Sequence, residues 1–176
     1  VISIDLPYFK PLVIFLKRSE KLKTFFGQKD FFLDPNIDVD EIGKAIDKNR
    51  PFRNIIWLIP GATVGSTSSQ TKRQNCSYKG THEFYITILT KCDRDKFSMV
   101  KSDEGLDVSG PVIDVMGVRK AVKDEIKRFY MEQINSTNQA GFYDLIWVRD
   151  NMIDYIENDK GCGFINATMA FNVEII

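Results

Sequence analysis

Histidine is almost absent from this 176-residue chain: His82 is the only one. That removes most catalytic and metal-binding schemes built on imidazole pairs. Cysteine is scarce too. Cys76, Cys92 and Cys162 are odd in number and widely spaced, which is not a disulfide framework, so a reducing compartment is the expectation. Net charge is missing as well, because 24 basic and 24 acidic residues cancel. A protein held on nucleic acid or on an anionic membrane carries a surplus of Lys and Arg. No apolar run approaches the ~20 residues needed to cross a bilayer. The stretch Leu12 to Leu16 is closely flanked by Lys10, Lys17 and Arg18.

What the chain does have is core material. Thirteen Phe, six Tyr and two Trp, with 43% hydrophobic and 27% charged residues, are enough for a folded domain. Pro7 to about Phe26 reads as an amphipathic helix, with Phe9, Leu12, Val13, Leu16, Leu22 and Phe25 at helical spacing. A second helix is expected from Asp38, with Glu41 in capping-box position and an end at Asn49 to Pro51. Asn54 to Ile59 is a β run that Pro60-Gly61 should stop. Residues 61 to 80 are a polar loop rich in Gly, Ser and Thr. Thr81 to Cys92 alternates as a long strand, expected antiparallel to 54–59.

Lys91 to Ser109 reads as a charged connector, and Val112 to about Tyr130 as the strongest helix, with Val115, Val118, Val122, Ile126 and Phe129 in one stripe. Phe142 to about Ile156 reads as strand, anchored by Leu145, Trp147 and Met152, with an irregularity at Asp150-Asn151 and helix as the alternative for its second half. Phe164 to Ile176 alternates most clearly of all. The order α-α-β-β-α-β-β implies one α+β domain over residues 1–176. Its N-terminal helices fall in 1–50. A mainly antiparallel four-stranded sheet and a central helix fill 51–176, with helices packed on one face.

Chemistry-bearing residues are few. His82 and Glu83 are neighbours on a strand and point to opposite faces, so they do not serve one substrate. Cys76, His82, Cys92 and Cys162 lack the close Cys-x₂₋₄-Cys spacing of a zinc site. Gly61-Ala-Thr-Val-Gly65 follows a strand but lacks the Gly-Lys-[Ser/Thr] ending and a helix after it, so it is not a phosphate loop. No catalytic residue, cofactor or metal ligand is assigned. Charge placement is more telling. Residues 48–94 carry eight Lys/Arg against two Asp/Glu, whereas 142–176 carry two against six. Segments of opposite sign in a neutral chain suit head-to-tail contact between copies.

A run of features follows the chain from residue 50 to 176. The strand ending Trp57-Leu58-Ile59-Pro60-Gly61 leads through Thr71-Lys72-Arg73-Gln74 into Phe84-Tyr85-Ile86-Thr87-Ile88-Leu89. Cys92-Asp93-Arg94-Asp95 closes that strand. An amphipathic helix, Tyr143-Asp144-Leu145-Ile146-Trp147-Val148-Arg149-Asp150 and the alternating strand Ala167 to Ile175 complete it. This series resembles the tail terminator proteins of tailed bacteriophages and prophages. The resemblance implies a structural, non-enzymatic protein of the virion tail, made in the host cytoplasm. It would form a hexameric ring of itself on the tail tube protein, stop tube growth and meet a head completion protein. No membrane and no direct nucleic acid would be partners.

The expected assembly element is the polar loop. Thr63, Ser66, Thr67, Gln70, Lys72, Arg73, Gln74 and Lys79 would contact the neighbouring subunit or the tube. The exposed sheet face at Asn166, Thr168 and Asn172 is a second candidate. Three rivals stand beside this reading. One is another head–tail connector protein. Another is a nucleic-acid module using Arg50, Arg53, Lys72, Arg73 and Lys79 with Tyr78, Phe84 and Tyr85. The last is a small enzyme with Cys76 or Cys92 as nucleophile and His82 as its partner.

Overall fold

The computed structural model describes residues 9–26, 32–33, 54–65, 80–135, 144–157, 161 and 163–175. In chain order these form α1 (Phe9–Arg18), α2 (Glu20–Phe26), β1 (Phe32–Leu33), β2 (Asn54–Gly65) and β3 (Gly80–Lys91). A 3₁₀ turn (Arg94–Lys96), β4 (Met99–Ser102), β5 (Gly105–Val108) and α3 (Gly110–Ile134) follow, then β6 (Asp144–Asp150), β7 (Asp154–Glu157) and β8 (Gly163–Ile175). The helix expected at 38–49 lies outside the described residues.

Alternation runs furthest in β8, and the sheet is built around it. Ile165, Ala167, Met169, Phe171 and Val173 turn to one face and are buried. On β3, Phe84, Ile86 and Ile88 face the same way, because Phe84 pairs with Phe171, Ile86 with Met169 and Ile88 with Ala167. The four long strands run β2-β3-β8-β6. They are antiparallel throughout, and that part the sequence implies. Two short strands enlarge the sheet to six: β1 pairs parallel with β2, and β7 pairs antiparallel with β8. The fold is α+β.

α3 covers the apolar face with Val112, Val115, Val118, Val122, Ile126 and Phe129. It starts after Ser109 with Pro111 in its first turn, where a missing N–H costs nothing. α1 and α2 add Leu12, Leu16 and Leu22 to the same core. The single helix expected over 7–26 is broken at Ser19. The Ser19 hydroxyl accepts the Leu22 N–H at 3.2 Å and so caps a new helix. The same hydroxyl donates to buried Glu125. Burial alone would raise the Glu125 pKa, but hydrogen bonds from Arg128 and Ser19 outweigh it and hold the carboxyl below its usual range. Arg128 also lies 4.3 Å from the Phe15 ring centre, which locks α1 against α3.

β2 does not stop at Pro60-Gly61. It continues to Gly65 through an irregularity between Pro60 and Thr63, where a proline is tolerated in a strand. A Cβ on Gly61 would sit 2.6 Å from the Glu83 carbonyl oxygen, so only glycine lets the two backbones approach this closely. Gly61→Ala should cost about 1–3 kcal/mol, read as a lower urea midpoint. The charged connector is also more ordered than expected. Within it, β4 and β5 form a hairpin whose inner face, Met99 and Val108, packs on the core. Four-residue strands are too short for alternation to reveal. Gly105, at φ 134°, supplies the backbone conformation that closes the turn.

Candidate interaction surface

β6 follows the polar segment after α3 and forms the sheet's end beside β8. Among the described residues no strand pairs with its outer side, so its backbone N–H and C=O groups form an open row. Ile146, Trp147 and Val148 are 45%, 49% and 40% exposed, three apolar residues in succession. The register explains why. Trp147 pairs with Phe171 and Arg149 with Ala170, so Val148 is an extra residue, a bulge that breaks the alternation. Trp147 and Met152 were expected to be anchors of the core. Trp147 is half exposed and Met152 is 82% exposed.

Trp147 opens onto a groove between β6 and α3 of about 750 Å³. Ile113, Met116, Leu145 and Phe171 supply apolar lining. Arg119, Lys120, Lys123 and Lys127 line it too, with Asp124 and Asp150. These cations recur at helical spacing along α3 and share one side of it. The Trp147 indole N–H donates to Asp150 at 3.1 Å, and the Lys123 ammonium lies 4.6 Å from the Trp147 ring centre. Lys123 also donates to Asp150 at 2.7 Å, and Arg119 donates to the Asn151 carbonyl at 2.9 Å. Asp124, hydrogen-bonded by Lys120 and near Lys21, is held below the usual carboxylate range. At the far end, the hydrogen bond with Asp144 raises the Tyr130 pKa. The Trp147 ring is therefore fixed by a charge network, not free to collapse onto the core.

Of the loop residues singled out from sequence, Thr63 lies in β2 opposite His82. Ser66, Thr67, Gln70, Lys72, Arg73, Gln74 and Lys79 lie outside the described residues. The paired strands run further into the expected 61–80 loop than its composition implied, since β2 continues to Gly65 and Gly65 pairs with Gly80. On the sheet face away from α3, Thr168 shares a hydrogen bond with Thr87 at 3.0 Å and donates to Asn166 at 3.2 Å. Asn166, Thr168 and Asn172 are half-buried, and Thr87, Leu89 and Ala170 around them are buried. This face is not the open polar surface that alternation suggested.

The enzyme rival's described residues, His82 and Cys92, are not brought together, and of the nucleic-acid rival's described aromatics Phe84 is buried and Tyr85 half-buried. His82 and Cys92 sit ten positions apart on or just past β3, roughly 33 Å at strand rise, so they share neither a proton nor a metal. Burial pushes the Cys92 thiol up, away from nucleophilic character. Phe84 is buried in the core and offers no face to a base. Among the described residues no His/Cys/Asp/Glu group could hold a metal, and no helix is long and apolar enough to cross a membrane. Cys76, Cys162, Arg50, Arg53 and Tyr78 lie outside them.

His82 is only 2% exposed and donates to the Gly61 carbonyl. Burial, the larger effect, lowers its pKa despite that bond. The unfolded chain therefore takes up the proton first. His82's contribution is fully present above about pH 6.5 and is lost as pH falls from there through the lower folded-state pKa. Urea midpoints at pH 7.5 and 5.5 should show this drop, and His82→Asn should flatten it.

The sequence carried one overlooked signal for this surface. Ile146-Trp147-Val148 places apolar residues on both faces of a strand, which a half-buried strand does not need. No protein-family model matches the chain, and no curated protein matches it significantly.

Proposed function

We propose that this chain is a structural virion-assembly protein of the tail terminator type. Copies form a ring, cap the tail tube, end its polymerisation and offer the surface that meets the head. The observation that carries the reading is the apolar edge at Ile146, Trp147 and Val148, beside Met152. A soluble monomer blunts its sheet edges with charge, proline or cover. An edge left apolar is a surface for another polypeptide, and a contiguous apolar patch marks an interaction site. A ring needs such a surface on every copy. The element order and motifs over residues 50–176 agree with this role, and the opposite charge of 48–94 and 142–176 suits contact between copies. Thr63 at the end of β2 and the segment from Ser66 to Lys79 remain the proposed tube-facing element, with Lys72, Arg73 and Lys79 set to pair with acidic groups of the tube protein.

Mass in solution by light scattering, alone and with isolated tail tubes, tests the proposal, with negative-stain imaging of the tube ends. A ring of copies, or a cap at one tube end, is the expected result. A chain that stays monomeric and leaves tubes uncapped would remove it.

A further inference from the structure

We propose that the groove between α3 and β6 receives the β4–β5 hairpin of a second copy, giving a head-to-tail contact. The proposal rests on the self-assembly reading above and adds its geometry.

Two surfaces of one chain match. The groove carries Arg119, Lys120, Lys123 and Lys127 against Asp124 and Asp150, with apolar lining at Ile113, Met116 and Trp147. Its rim is net cationic around an oily floor. The hairpin carries Asp103, Glu104 and Asp107 against one lysine, Lys101, and is net anionic. Its tip, Asp103 to Gly105, is exposed. Val100 pairs across the hairpin with Asp107, so both stand on its outer face, and Val100 is 55% exposed. An apolar residue flanked by carboxylates fits an apolar floor flanked by cations.

No residue of the hairpin lines the groove of its own chain. It is tied to the start of α3 by the Ser109 N–H to the Ser98 carbonyl at 2.9 Å, and Met99 and Val108 hold its inner face on the core. Lys120 and Lys127 lie ten and seventeen residues past Gly110, roughly 15–25 Å along the helix. The hairpin's four-residue strands reach only about 13 Å. The contact also differs from a strand pairing with its own copy. A groove meeting a hairpin is heterologous, and repetition of such a contact closes into a ring when the rotation allows. The groove adjoins the exposed edge of β6 at Trp147, so both would be covered together.

A nucleic-acid backbone is the competing occupant of a cationic groove. The salt links favour the hairpin: Arg119 and Lys123 already face Asp150, and Lys120 faces Asp124. A phosphate track would present cations without carboxylates among them.

Charge reversal tests the contact with exposed residues whose replacement leaves the core intact. One chain carries Lys120→Glu and Lys127→Glu; the other carries Asp103→Lys and Glu104→Lys. Each alone should associate about tenfold to 100-fold more weakly than the unmodified chain, in sedimentation without tubes. The two mixed, or all four changes in one chain, should regain association, because each reversed rim then meets a reversed hairpin. Thermal unfolding confirms that each is folded. Reversed chains that associate as tightly as the unmodified one overturn the contact while leaving the ring reading intact. So does a mixture that fails to recover. Unmodified chains that associate through this contact but ignore tubes overturn the terminator reading instead. A chain that is monomeric even at high concentration and on tubes overturns both. A short DNA duplex that binds the unmodified chain, loses binding on rim reversal and leaves self-association unchanged assigns the groove to nucleic acid and also overturns the contact.

Discussion

A chain carrying Ile146→Lys and Val148→Lys should stay monomeric where the unmodified chain assembles. Both residues are on the edge strand β6, 45% and 40% exposed, so their loss removes little from the core. Two ammonium groups on an edge strand oppose pairing with any further strand and must be desolvated by any partner. Loss of central apolar contacts at an interface is worth about 2 kcal/mol or more, roughly 30-fold or greater in dissociation constant. Added charge should push the effect past about 100-fold. Sedimentation reads the mass, and urea unfolding reads the fold. The midpoint should move by less than about 0.5 kcal/mol equivalent, as for surface changes away from packed groups. Assembly that survives both lysines would mean that copies meet through another face, and the exposed edge would lose its assigned role. Trp147→Ala is the companion variant, since it empties the mouth of the groove without adding charge.

Phe84→Ala should be the most destabilising single change in the sheet. Phe84 is fully buried, and its ring stacks on Phe171 with centres 5.2 Å apart and planes 12° from parallel. Both rings lie on the central pair of strands, beneath α3. Truncation there costs about 3–5 kcal/mol, through lost transfer energy and a cavity the sheet cannot close. Against the 5–15 kcal/mol typical of a whole domain, that is a large share. Equilibrium urea unfolding measures it as a lower midpoint at unchanged slope. Tyr85, one residue on, is the internal control. It faces the other side and is only half-buried, and its hydroxyl donates to Glu83. Tyr85→Ala should cost clearly less. If the two costs were reversed, the β3–β8 register would be off by one, because a one-residue slip exchanges the faces of a strand.

Much of the fold was legible for a local reason. β8, β3 and the buried stripe of α3 announce themselves because period-2 and period-3.6 burial is written in the order of residues. Even the irregularity near Asp150-Asn151 was visible. The break between α1 and α2 was less so. Ser19 lies in a helical pattern, and only its bonds to the Leu22 N–H and to Glu125 decide that it caps rather than continues. The β4–β5 hairpin escaped because two four-residue strands leave too few alternations to count.

The candidate surface was legible only in pieces. Trp147 reads as a strand anchor beside Leu145, yet it is half exposed. Its exposure follows from the bulge at Val148 and from β6 being the last strand, and both are properties of pairing. Lys120, Lys123 and Lys127 fall largely off the apolar stripe of α3 in the sequence. Their placement around an apolar groove depends on β6 lying alongside.

The sequence by itself determined the class of the fold, the elements that carry the core, and which strand residues face inward. Hydrophobic spacing is a local quantity, and burial must follow it. The tertiary structure alone decided strand order, which edge stays open among the described residues, and that Gly61 must meet the Glu83 backbone. Those depend on which distant segments pair, and no local pattern carries that choice.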